Sequence, residues 1–187
     1  MEDKIKNLTI ILFLLLCAPL SAENKKVDLK ESEVHAILIP GSGTYSKKIS
    51  TQNKEAQQFF DQGLRLAWGF YFPESIASYL EAARLDPNHP MPYWGMAHAM
   101  GPNPNSRYSG MPDDPKGEGL KAIKKAMDRI ENASHMEAKL IKALYTLYDK
   151  DANPDAKQRD RAYLAEMRKL NRDYPEDPDI AALYANS

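Results

Sequence analysis

From position 54 onward the apolar side chains recur at three- and four-residue steps, the period of a helix buried along one side. Phe59, Phe60, Leu64, Ala67 and Trp68 set that step for a first helix over 54–70, with Thr51 or Asn53 placed to cap it. Pro73 and Glu74 open a second helix, which carries Ile76, Ala77, Tyr79, Leu80 and Ala83 on one side and stops at Asp86-Pro87. The same spacing predicts helices over 92–100, 118–130, 135–148 and 155–173, and the start of a seventh over 179–186. A polar loop from Gly101 to Lys116 separates the third from the fourth.

Upstream the pattern changes twice. Val34, Ala36, Ile37, Leu38 and Ile39 form an apolar run, Pro40-Gly41-Ser42-Gly43 is turn chemistry, and a weaker run continues from Thr44 to Ile49. This is the only stretch with strand character. Earlier still, Lys4 and Lys6 precede an apolar run from Leu8 to Cys17 that is shorter than the ~20 residues of a membrane span. Residues 1–22 read as a secretory signal peptide cleaved after Ala22. The alternatives are an uncleaved anchor, or acylation at Cys17, where the bulky Leu16 stands in place of a small residue. The organisation expected is therefore a signal peptide over 1–22, a linker with a short extended segment over 23–53, and helices over 54–187.

Paired helices joined by short Pro, Asn and Asp turns invite a search for a repeat. A unit of about 34 residues starting at Ala56 places Phe59 at its fourth position, Gly63 at its eighth and Pro87 at its last signature position. Its second helix then puts Ser75, Tyr79 and Ala82 where small, aromatic and small side chains are wanted. The pattern resembles a tetratricopeptide repeat, in which Gly63 lets two helices approach and the Tyr79 ring fits between neighbours. A second unit from Pro90 carries Tyr93 and Ala97, then Gly119, Ile123 and Ala126 after an insertion in the 101–116 loop. A third pairs 135–148 with 155–173, and a fourth begins near Asp179. The fold class expected is all-α, a right-handed solenoid of antiparallel helix pairs behind a short extended N-terminal segment.

The runs SIASYLEAARLDP (75–87), MPYWGMAHAMGPNPN (91–105) and YPEDPDIAALYA (174–185) extend the resemblance to a group of larger bacterial exported tetratricopeptide repeat proteins. That resemblance implies a scaffold in the cell envelope, periplasmic or extracellular, and a longer protein of which this chain is an N-terminal fragment. Relatives carry histidines before the first helix and an Asn-His pair between the first two. Here those places hold Thr44 to Lys48 and Tyr71-Phe72, so no metal role carries over.

Charge and chemistry narrow the function further. With 25 basic against 26 acidic side chains, nothing marks a nucleic-acid or anionic-membrane surface, so membrane contact is expected only through the signal segment or an anchor. A single cysteine excludes a disulfide framework. GSGTYSKK (41–48) lacks the Gly-Lys-Ser/Thr ending of a phosphate loop, and no catalytic motif occurs among the four histidines His35, His89, His98 and His135. The chain reads as non-enzymatic and without a cofactor, binding a protein or peptide through a groove formed by the first helix of each unit.

In that groove the repeat register places Phe60, Asp61, Leu64 and Trp68 from the first unit, with Gln57 beside them, and Trp94 and His98 from the second. Asn103, Asn105, Arg107 and Tyr108 would form its rim loop. Phe60, Trp68 and Trp94 supply a low-entropy aromatic contact surface of the kind that anchors peptides. Equally, Phe60 and Trp68 could pack the extended segment into the groove mouth. The alternative function is copper binding through Met96, His98 and Met100, since thioether and imidazole suit copper(I). Met96 and Met100 share a helix face and His98 does not, which favours methionine as core packing.

Overall fold

The computed structural model describes residues 29–30, 33–101 and 110–187. The proposed signal peptide lies outside them. Among the described residues seven α-helices follow in order: α1 Lys54–Trp68, α2 Phe72–Leu85, α3 Met91–Met100, α4 Pro115–Met127, α5 His135–Tyr145, α6 Ala156–Asp173 and α7 Pro178–Ala185. A single 3-10 turn, Ile130–Asn132, precedes α5, and no strand occurs among the described residues. The regular structure of the described residues is all helical, as the periodicity implies.

Local chemistry explains where the helices begin. Asn53 accepts from the backbone N–H groups of Glu55 and Ala56, satisfying donors that α1 itself cannot. Ser134 and Glu137 form a reciprocal capping box at α5. Helix α4 starts three residues before the position expected, because Asp114 caps Gly117 and Pro115 occupies the first helical position, where a missing N–H costs nothing. Helix α5 ends three residues early and continues to Tyr148 as turns.

The end of α1 is less ordinary. Phe70 N–H donates to Ala67 C=O and Tyr71 N–H to Leu66 C=O, the pair of bonds of a Schellman motif. The left-handed position of that motif usually holds glycine. Here Gly69 sits one residue too early, and Phe70 takes the position with φ of 63°. For a bulky side chain that conformation costs about 1–2 kcal/mol. Phe70 is also half exposed, edge-on to Phe72.

Consecutive helices pack on one another from α1 to α7, and α3 also touches both α1 and α5. Two tyrosines set the spacing. The fully buried Tyr79 ring of α2 lies so close to α1 and α3 that a Cβ added at Gly63 or Gly95 would stand 2.7 Å or 2.5 Å from it. Ser75 reinforces the same junction by donating to Gly63 C=O at 2.7 Å. Farther along, Tyr148 donates to Ala97 C=O at 2.6 Å and leaves no room for a Cβ at Gly119, which would meet its hydroxyl at 2.4 Å. Both rings belong to one continuous core that also buries Phe60, Ile76, Met91, Trp94, Ile123, Leu140 and Ile141.

Two substitutions test this account by thermal melting. Gly95→Ala must push a fully enclosed aromatic ring aside and should destabilise the fold by ~1–3 kcal/mol. Phe70→Gly relieves the left-handed strain and should raise stability by about 1 kcal/mol.

Candidate functional site

Residues 33–50 form a strap outside any helix or sheet, two non-helical runs joined by a turn at 40–42, so their backbone groups need partners elsewhere. Helix side chains supply them. The Gln62 amide accepts from Ile39 N–H at 2.7 Å and donates to Ile37 C=O at 3.0 Å, bonding the strap as a neighbouring strand would. One turn and a half earlier on α1, Gln57 repeats the arrangement, accepting from Ile49 N–H at 3.0 Å and donating to Lys47 C=O at 2.9 Å. Each amide is oriented by a further bond, Gln62 to Ser78 Oγ and Gln57 to Asp61 Oδ1. Arg65 donates to Tyr45 C=O, and Glu81 accepts from His35 N–H.

Asp61 is the polar centre of this face. Its carboxylate, 7% exposed, accepts from Ser46 Oγ, Lys47 N–H and Gln57 Nε2 at 2.7 to 3.1 Å. Burial raises its pKa in spite of those three donors, which act the other way. From here the strap reaches two more helices. Lys47, 6% exposed, places its ammonium 2.8 Å from Asp177 and 3.1 Å from Asp179 in the first turn of α7. Burial opposes ionisation of Asp177, but the Lys47 ammonium and the α7 backbone N–H groups prevail and hold its pKa below the usual carboxylate range. Tyr45 donates to Asp179 at 2.8 Å, and burial together with that carboxylate pushes its phenol up to about 12.

At the far end of the strap, Ser50 meets α5. Its N–H and hydroxyl both donate to the buried Glu137 carboxylate, at 2.7 and 2.6 Å. His89 Nε2 lies 2.9 Å from the same hydroxyl. The trio looks like a serine, a histidine and an acid assembled for nucleophilic attack. The hydrogen-bond directions say otherwise. His89 Nδ1 accepts from Met91 N–H, which puts the proton on Nε2, so this ring donates to Ser50 and is not a base for it. The acid contacts the serine and not the histidine, the reverse of a catalytic triad.

The groove residues expected from sequence divide into two groups. Phe60, Leu64 and Trp94 are buried in the core and present no free surface, and the polar atoms of Asp61 are taken by the strap. His98 joins the two tryptophans: its imidazole stacks on Trp94 with centroids 5.4 Å apart and planes within 6°, and Trp68, 38% exposed, tilts against the imidazole at 6.2 Å. Trp94 Nε1 and His98 Nδ1 are buried there without a hydrogen-bond partner. The expected rim loop of Asn103, Asn105, Arg107 and Tyr108 lies outside the described residues.

The copper set does not converge. Met96 and Met100 line a small cavity with Leu80, Lys121 and Lys125, while His98 stacks on Trp94. Among the described residues no three His, Cys, Asp or Glu side chains gather as a metal site. A larger cavity of about 300 Å³ lies between α4 and α6, floored by Leu120, Leu147 and Tyr148.

Gln62, Lys47, Asp177, Asp179, Ser50 and Glu137 were missed by sequence reasoning. Their pairings join positions up to 134 residues apart, as with Tyr45 and Asp179, and no local period signals them. The one available hint was the presence of Gln57, Asp61 and Gln62 among the buried apolar positions of α1. Comparison with known proteins finds no matching family model, no similar curated protein and no similar solved structure.

Burial lowers the pKa of both inward-facing histidines, that of His98 to about 4 and that of His89 by a smaller margin against the pull of Glu137. A lowered histidine pKa means that the unfolded chain binds protons the folded chain refuses. Stability is therefore fully present above pH ~6.5 and falls as pH drops toward 4, by at most ~1.4 kcal/mol per pH unit for each ring. The raised pKa of Asp61 acts with the opposite sign at the acidic end. Melting temperatures between pH 8 and 5 should show this slope, and His98→Phe, which keeps a ring on Trp94 without its titration, should flatten it.

Proposed function

We propose that the chain is an exported, non-enzymatic scaffold of tetratricopeptide-repeat type that binds protein or peptide segments in extended conformation. The arrangement of helix contacts supports the repeat reading: each helix packs on the next, and α3 touches α1 and α5. So does the recurrence of a tyrosine wedged against glycine, Tyr79 at Gly63 and Gly95, then Tyr148 at Gly119. In such a solenoid the first helices of successive units share a concave face, which would here be α1, α3, α5 and α7.

One observation carries the binding reading. An extended segment already lies along α1, held through its backbone by Gln57 and Gln62, each bonding the carbonyl of one residue and the N–H two residues on. Contacts of that kind read chain shape and not sequence, which is what a general peptide-binding face requires. Export rests on the basic start and apolar run of residues 1–22.

Peptide display against the full chain, with hits measured by fluorescence anisotropy, tests the proposal. Binders should be competed by a synthetic peptide of residues 34–51. Gln62→Ala should weaken them about tenfold, the loss of roughly 1.4 kcal/mol for a paired amide contact. Binders indifferent to both manipulations would place recognition elsewhere and end this reading.

A further inference from the structure

Within the strap, backbone and side-chain contacts do different work. Asp61 and Gln57 hold the N–H and C=O of Lys47 and the N–H of Ile49, bonds that any extended residue could make. Two side chains discriminate. The Lys47 ammonium enters a site walled by Asp177 and Asp179, and the Ile49 side chain, 2% exposed, joins the hydrophobic core. Lys48 between them is exposed, as alternation along an extended chain requires.

The charge balance at that site is uneven. Asp61, Asp177 and Asp179 all face the strap, and Lys47 is the cation bonded to the last two. Removing it would leave the Asp177 and Asp179 carboxylates facing each other across a partly dehydrated gap, the costly half of a broken buried ion pair. An occupant with a cation at this position is therefore strongly preferred over one without. The aliphatic slot two residues on adds a second, independent criterion.

We infer that this face selects extended peptides carrying a lysine two residues ahead of an aliphatic side chain, and that residues 45–50 are a resident copy of such a ligand which an incoming peptide displaces. The inference rests on the peptide-binding reading above and gives it a specificity. Because the resident copy is tethered, it competes at an effective concentration in the millimolar range, so the intact chain would bind a free peptide of equal contacts only weakly.

The test uses the full-length chain and a fluorescent peptide of residues 34–51, in wild-type form and with alanine at the Lys47 position. The double variant Lys47→Glu, Ile49→Asp spoils the resident copy while leaving its receptor residues intact. It should bind the wild-type peptide at least tenfold more tightly than the unaltered chain does, and at least tenfold more tightly than it binds the alanine peptide. Equal binding of the two peptides would overturn the lysine criterion while leaving peptide binding in place. Failure of either peptide to bind a double variant that keeps its helical circular dichroism would overturn both. Should that variant unfold, Lys47→Ala replaces it in the same titration. Hydrogen exchange on the unaltered chain gives an independent check. The Lys47 and Ile49 amides should exchange through an opening that leaves helix amides protected; exchange only on global unfolding would make the strap a permanent part of the core and end the proposal.

Discussion

Everything in this chain depends on how closely α1, α2 and α3 can approach, and that distance is set by the Tyr79 ring. A ring gripped by two glycine backbones has almost no freedom to shift, since neither wall carries a side chain that could rotate away. The consequence is positional. With α1 fixed against α2 by the ring and by the Ser75 bond to Gly63, the opposite face of α1 presents Gln57 and Asp61 at a settled height. Core packing therefore decides the geometry of the polar row.

That polar row solves a problem that an extended segment always raises. A strand outside a sheet leaves its N–H and C=O groups to water or to nothing, and burial without partners would cost ~1–3 kcal/mol for each group. Here primary amides on a helix substitute for a neighbouring strand. Glutamine suits the task because its amide is a peptide group in miniature, with donor and acceptor spaced to match a carbonyl and the N–H two residues on. A single glutamine could swing away on its long side chain. The bonds from Gln62 to Ser78 and from Gln57 to Asp61 remove that freedom.

How much of this was legible in advance follows from the range of each interaction. Helix positions were legible to within a few residues because periodicity and caps act over one or two turns; Asn53, one of the two caps offered for the first helix, sits at its start. The role of Gly63 and Tyr79 was also legible, because a small residue and a ring at fixed spacing are local facts. The end of α1 was not, since a glycine one residue away from the left-handed position looks like the usual stop while Phe70 bears the strain. The occupancy of the α1 face was legible only as one of two equal readings, a free groove or a seat for the extended segment, and the strap takes it through Gln57 and Gln62. Phe60 and Leu64 were placed on a binding surface by register alone, and register does not say that core packing has already buried them. Asp177 reads from sequence as an ordinary cap; its second partner, Lys47, lies 130 residues earlier.

That double use of Asp177 ties the strap to the last helix. One of its oxygens accepts from Asp179 N–H and Ile180 N–H, which starts α7, while the same carboxylate pairs with the Lys47 ammonium. If the ammonium leaves, the aspartate keeps its capping bonds but stands beside Asp179 with no neutralising charge, and the first turn of α7 becomes the place where that repulsion is relieved. Linkage makes the relation reciprocal: whatever steadies that turn must strengthen the hold on a lysine, by the same free energy. Helix α7 packs on α6 and, through Lys47 and Tyr45, on the strap, so its order reports on the strap directly. The strap and the last helix are thus coupled through the Lys47 ammonium and the Tyr45 hydroxyl.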